Sequence, residues 1–176
     1  QEHGISHDVC GKVVVAADPT ELPMLDKIFR TGMENGIEGI EKIDAKGVKE
    51  HEPFCEGIAG IWVPVTGIID YRAATEKMVE LALALNPQSR LVRGEAVRRI
   101  DRKGEFKTAK TIKHEYLSKY QVFCAGLQAD RLARADGIHL REHVVGFRGD
   151  YYELTEKAKH KVKNLIYPVP NPDFPF

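Results

Sequence analysis

Apolar residues come in short β-branched runs separated by stretches with helical spacing. The run GKVVVAAD (residues 11–18) predicts a buried strand. Thr20 is the expected N-cap of the next helix, because it leaves Pro23 in the first turn, where a missing N–H costs little. Leu22, Leu25, Phe29 and Met33 give that helix an apolar face, and Gly36 ends it. Residues 40–43 predict a short strand, 44–52 a short helix stopped by Pro53, and the apolar 57–67 a further strand. Asp70 is placed to cap a helix on which Tyr71, Ala74, Met78, Leu81 and Leu85 share one face, with Pro87 as its stop.

Beyond Pro87 the pattern turns towards strands. SRLVRGEAVRRID (89–101) predicts a strand pair, or one bent strand with Gly94 at the bend. Turn residues at Lys103-Gly104 lead into FKTAKTIK, the second arm of a hairpin. YQVFCAGLQADRLARADG (120–137) predicts a strand covered on both faces, a corner at Ala125-Gly126, and a short helix capped by Gly137. VVGFRGDYYEL (144–154) and residues 165–169 read as strands again. Helices and strands mix without strict βαβ alternation. The expected class is therefore α+β (mixed α/β), in two interleaved lobes rather than one doubly wound sheet.

Composition narrows the possible partners. The 176 residues suffice for one domain or for pieces of two. Lys plus Arg and Asp plus Glu each total 26, so the formal charge is zero. Phosphate-backbone binding needs a basic surplus, which argues against nucleic acid as a partner. Three widely spaced cysteines, Cys10, Cys55 and Cys124, suit a reducing cytoplasm better than a disulfide framework. No apolar stretch approaches a transmembrane segment, and no signal-peptide pattern is present. The chain opens at Gln1 and stops on YPVPNPDFPF, which predicts an internal piece of a longer protein.

Four stretches invite chemistry. At the Ala125-Gly126 corner, a residue without Cβ lets something approach the backbone closely. The helix starting there presents unpaired N–H groups suited to an anion or to nucleotide phosphates. Tight packing of the corner is the other reading. GMENGIEG (32–39) carries three glycines but follows a helix, the wrong context for a dinucleotide loop. HLREH (139–143) matches the inverted zinc-protease pattern, yet its flanks predict extended chain. That would hold the two histidines about 13 Å apart, too far to share a metal. His3 and His7 have helical spacing, with Gly4 between them and no evident third ligand, so no metal is expected. In FRGDYYEL (147–154), Arg148 either pairs with Asp150 or grips a substrate carboxylate with both arms of its guanidinium.

CGKVVVA, VPVTGIIDYR, FCAGLQADRLA, FRGDYYEL and NLIYPVPNPDFPF occur in the order found in the L-2-hydroxyglutarate oxidase/dehydrogenase family. These are FAD-dependent flavoproteins of the D-amino-acid-oxidase-like superfamily. The chain resembles that family over residues 4–176. NLIYPVPNPDFPF and TGIIDYR are fairly specific to it, whereas the CAG corner is shared more widely.

The resemblance implies FAD as cofactor of the intact protein. Ala125, Gly126 and Leu127 would form the flavin-contacting turn near the phosphates, and the Val97 backbone would lie against the adenine end. Thr66, Arg148 and Tyr151 would border the substrate. Residues 1–66 and 138–176 would belong to a mainly antiparallel substrate lobe, and 67–137 to part of the FAD-binding lobe. The implied reaction oxidises a small 2-hydroxy dicarboxylate, L-2-hydroxyglutarate, to 2-oxoglutarate: the flavin takes a hydride from C2 and a base removes the hydroxyl proton. The electron acceptor stays open.

The family's strand–GxGxxG–helix unit and its histidine-containing stretches have no counterpart in these residues. No catalytic residue is therefore assigned, and the chain alone is expected to be inactive and to bind flavin weakly or not at all. A cytoplasmic location is expected, with peripheral membrane association left open. A flavin-dependent amine or amino-acid oxidase, or a non-catalytic domain that folds without flavin, are the alternatives.

Overall fold

The computed structural model describes residues 2–171. In chain order its strands and α-helices are β1 (His7–Asp8), β2 (Lys12–Ala16), α1 (Leu22–Glu34), β3 (Glu41–Asp44), α2 (Ala45–His51), β4 (Ala59–Val63), β5 (Ile68–Ile69), α3 (Tyr71–Leu85), β6 (Arg99–Lys103), β7 (Phe106–Lys110), β8 (Glu115–Ser118), α4 (Ala129–Ala135) and β9 (Leu165–Pro168). This mixture fits the α+β class expected from the pattern. Residues 2–85 and 153–171 form one compact unit and 86–152 another.

In the first unit a four-stranded sheet has the order β3-β4-β2-β9, antiparallel except for the parallel β2/β9 pair. Because β2 is covered on both faces, its apolar run is continuous rather than alternating. Val14 and Ala16 pack with Leu25 of α1 and with Ile61 and Val63 of β4. Val13 and Val15 face the other way, onto Val48 of α2. Val13, Val48 and Ile61 are fully buried, each worth about 1.5–3 kcal/mol of transfer free energy. β1 and β5 form a separate antiparallel pair.

The helix starts depend on short polar side chains. Asp44 Oδ1 accepts the Gly47 N–H at 2.8 Å to open α2, and Asp70 Oδ1 accepts the Ala73 N–H at 2.9 Å to open α3. At α1 the cap differs from expectation. Asp18, not Thr20, is the capping residue: its Oδ1 accepts from the Thr20 N–H (2.7 Å) and the Thr20 hydroxyl (2.5 Å). A 3-10 turn over Pro19–Glu21 then leads into the helix. Asp18 caps that turn, with Thr20 as its donor, and α1 follows from Glu21 without a side-chain cap bond of its own.

Two features close this unit. Gly11 has φ +80°, and a Cβ there would lie 2.0 Å from Cη2 of Trp62, so both backbone and space demand glycine. Glu52, fully buried at the end of α2, accepts through Oε1 from the main-chain N–H groups of Lys163 (2.9 Å) and Asn164. The Asn164 side chain in turn donates to the Cys10 carbonyl. A buried carboxylate thus fixes the approach to β9 from more than a hundred residues away. The expected apolar face of α3 is not buried: Tyr71 is 79% and Leu85 87% exposed.

The second unit is an antiparallel β6-β7-β8 meander followed by a 3-10 turn (Gly126–Gln128) and α4. Lys107 of β7 pairs with Asp136 at the end of α4, both largely buried. Three expected strands are absent here. The ladder with β7 begins at the Arg99↔Lys110 pair, and no strand lies opposite 89–97. Residues 120–125 and 144–154 likewise form no strand, with Tyr120 88%, Val122 87% and Tyr151 98% exposed. Their composition suits a strand, but a strand also needs a neighbour to hydrogen-bond, and none is in place among the described residues. Among the described residues no helix is long and apolar enough to cross a membrane.

Candidate functional site

Of the four residues expected at the cofactor, Val97 and Ala125 line one groove of about 520 Å³ in the second unit. Val97 comes from the irregular segment before β6, and Ala125 from the turn before α4. Ala96, Arg98, Gln128 and Arg131 line the same groove. Its lining is mostly apolar and includes two arginines, a composition suited to a ligand with an apolar part and a negative one.

The corner between them answers the question raised by its sequence. Gly126 has φ +53°, which disfavours any residue with a Cβ, and a Cβ built there meets nothing within 4 Å. Tight packing is therefore not what requires glycine: the backbone turn requires it, and the space beside it is open. A cofactor's phosphates could lie against this backbone, so the residues present fit the group. Leu127, the fourth expected residue, is 62% exposed. Gly137, at φ +85°, follows the end of α4 as expected.

Polar side chains of the same unit form two connected sets. Glu95 accepts from the Thr111 hydroxyl (2.8 Å), His114 Nδ1 (2.9 Å) and the Tyr116 hydroxyl (3.1 Å). The Thr111 hydroxyl foremost, with His114 and Tyr116, holds its carboxyl below the ordinary value. Burial, aided by Glu95, pushes the Tyr116 phenol up. On α4, Asp130 takes the Arg134 guanidinium at 2.7 Å, which lowers its pKa. Arg134 also donates to the Glu142 carbonyl (2.8 Å) and to His143 Nδ1 (3.0 Å). His143 is thereby tied into a protein network on non-helical chain. Among the described residues no group of three or more His, Cys, Asp or Glu could hold a metal ion.

The expected substrate residues are not gathered into one place within either unit. Arg148 and Tyr151 belong to the second unit and Thr66 to the first. Arg148 Nε bonds Asp150 Oδ1 at 2.8 Å, and its side chain is 87% exposed. Tyr151 and Tyr152 are almost fully exposed and do not shield that pair from water. The Thr66 carbonyl accepts the Gly11 N–H at 2.8 Å. Thr66 also lines a cavity of about 320 Å³ beneath α1, with Lys12, Met24, Thr31 and Val63. Cys10, Cys55 and Cys124 are free thiols, and burial, followed by the nearby Glu52, raises the Cys55 pKa.

Sequence reasoning missed Arg98, Arg131 and Glu95. The two arginines read as ordinary surface charge in VRRID and QADRLA. Glu95 reaches partners 16–21 residues away, which no local pattern signals.

The family profile described as FAD dependent oxidoreductase matches residues 1–176. The chain is 36% identical, over 177 residues, to a protein of Indibacter alkaliphilus named L-2-hydroxyglutarate dehydrogenase, covering 100% of this chain and 44% of that protein. It is 34% identical over 194 residues to the Homo sapiens protein named L-2-hydroxyglutarate dehydrogenase, mitochondrial, covering 100% of this chain and 40% of that one. The chain thus spans less than half the length of these relatives. Among solved structures, L-proline dehydrogenase from P. horikoshii superposes with a TM-score of 0.74 at 16% identity, over 95% of this chain and 45% of that one. L-alpha-glycerophosphate oxidase from Mycoplasma pneumoniae, solved with FAD bound, gives 0.74 at 19% identity, again over 95% and 45%. At these identities the structures establish the fold alone. With the family profile matched from end to end, this chain belongs to the FAD dependent oxidoreductase family.

Proposed function

We propose that the chain is part of an FAD-dependent enzyme that oxidises L-2-hydroxyglutarate to 2-oxoglutarate. The observation that carries this reading is the 36% identity, across the whole chain, to a protein named L-2-hydroxyglutarate dehydrogenase. Bound FAD supplies the two-electron acceptor for the hydride leaving C2. Val97, Ala125, Gly126 and Leu127 would hold it. Support for this comes from the groove shared by Val97 and Ala125, and from the open space beside Gly126. Arg98 and Arg131 would offset the phosphate charge from the groove wall.

For the substrate, Arg148 would exchange its Asp150 partner for a carboxylate, taken in a two-pronged grip. Tyr151, in the same unit as Arg148, would border the substrate beside it. Residues 1–66 and 138–176 would belong to the substrate lobe and 67–137 to the flavin lobe. No residue of this chain is assigned the hydroxyl proton. The free thiols support a reducing compartment, here the cytoplasm. The likeness to an L-proline dehydrogenase carries no substrate choice at 16% identity.

The test is product analysis on the intact protein with an artificial electron acceptor. The panel is L- and D-2-hydroxyglutarate, 2-hydroxy monocarboxylates and amino acids. 2-Oxoglutarate formed from the L enantiomer alone is expected. Turnover confined to amines or amino acids would make it a different flavin oxidase, and a flavin-free protein with no turnover would make it a non-catalytic domain.

A further inference from the structure

We infer that Glu95 is a positioning residue for the cofactor groove: its carboxylate holds the Val97 segment in the shape that receives the adenine end of FAD. The inference rests on the flavin reading above and adds a residue to which the resemblance assigns no role.

Residues 94–97 form no strand, and Gly94, at φ +73°, turns the chain just before them. Regular pairing starts only at Arg98, whose N–H donates to the Lys110 carbonyl at 2.7 Å. Ala96, Val97 and Arg98 all line the groove, and among the described residues no strand pairs with 94–97. Glu95 ties this segment to the turn between β7 and β8. Its side chain is only 9% exposed, and it accepts from Thr111, His114 and Tyr116.

The surface it docks on is already shaped. Thr111 Oγ1 accepts the N–H groups of Lys113 (3.1 Å) and His114 (2.9 Å), and the Thr111 N–H donates to the His114 carbonyl at 2.9 Å. The turn between β7 and β8 is therefore fixed by its own bonds and by the flanking ladder, with or without Glu95. What the carboxylate orders is the groove wall, two residues before Val97. The same donors keep Glu95 ionised, which strengthens the three bonds.

The intact protein tests this with two variants and two readouts. Glu95→Ala removes the acceptor. Glu95→Gln keeps a carbonyl for the two hydroxyls and turns an amide towards a neutral His114 ring. The first readout is amide exchange of the apo protein over residues 94–98, with β6 and β7 as the folding control. The second is the Kd for FAD, followed by quenching of flavin fluorescence. If the untethered segment is competent about a tenth of the time, the apparent Kd rises about tenfold. Glu95→Ala should show that rise together with faster exchange over 94–98 and unchanged protection in β6 and β7. Glu95→Gln, which keeps an acceptor without the charge, should fall between wild type and Glu95→Ala in both readouts. Wild-type exchange in Glu95→Ala would overturn the tether. Faster exchange with an unchanged Kd would overturn the cofactor role. A wild-type protein that takes up no FAD would overturn the flavin reading, and this role with it, whatever the exchange shows.

Discussion

Replacing Gly126 separates what its backbone needs from what its surroundings need. A Cβ at this position meets nothing within 4 Å, so no neighbour has to move. The apo fold loses only the cost of a side chain at φ +53°, about 1–2 kcal/mol for alanine. That cost lowers the Tm, by less the larger the protein. Asparagine enters the left-handed region more easily, so Gly126→Asn should melt closer to wild type while still placing a side chain in the open space. If that space is where FAD meets the backbone, both variants overpack the contact. Overpacking costs about 1–3 kcal/mol, which weakens FAD binding roughly 5- to 150-fold. The assay is FAD titration of the apo form of the intact protein, with thermal melts of the same samples. A Gly126→Asn protein that melts near wild type and keeps wild-type FAD affinity would refute the reasoning. Glycine would then serve only the turn.

Three further outcomes follow from the same geometry. Glu52→Ala removes the acceptor of the part-buried Lys163 and Asn164 N–H groups, and hydrogen bonds to a charged group are worth about 1.5–3 kcal/mol; urea unfolding should show the loss, and exchange should accelerate first in β9, whereas an unchanged urea midpoint would mean the staple contributes nothing. Arg148→Lys should barely affect stability, because the exposed pair with Asp150 is worth about 0–1 kcal/mol, yet it should raise KM for a dicarboxylate far more than for a matched monocarboxylate; equal KM values in both proteins would leave Arg148 a loop residue. Glu95, Asp101 and Asp130 have pKa values lowered by Thr111, Arg99 and Arg134 respectively. Their contribution is present above the ordinary carboxylate pKa of about 4 and is lost as pH falls through the lowered values. Acid titration followed by exchange in β6 and β7 should show the second unit loosening below that point, and Asp130→Asn should flatten the response.

Local sequence was informative where local physics decides. The β2 run VVV is continuous because α1 and α2 cover its two faces, and both Asp44 and Asp70 cap the helices they precede. It failed where a strand depends on a distant neighbour. Residues 120–125 have the composition of a buried strand, but nothing among the described residues pairs with them, and the same holds for 144–154. The choice between Asp18 and Thr20 turned on one extra helical turn, which spacing alone does not resolve.

At the site, the resemblance named Val97 and Ala125 as cofactor residues, and the fold sets both on one groove although 28 residues separate them and no periodicity links them. Nothing in the local sequence marks Glu52 or Glu95. Their partners lie 111–112 and 16–21 residues along the chain, and only the folded geometry brings those donors together.

The central claim is tested most directly by mixing the intact, FAD-loaded protein with L-2-hydroxyglutarate without oxygen and following the flavin's visible absorbance. The account predicts full bleaching, one 2-oxoglutarate formed per flavin reduced, and a slower reaction when C2 carries deuterium. The D enantiomer and amino acids should leave the colour unchanged. A flavin that bleaches with an amino acid and ignores L-2-hydroxyglutarate would contradict it.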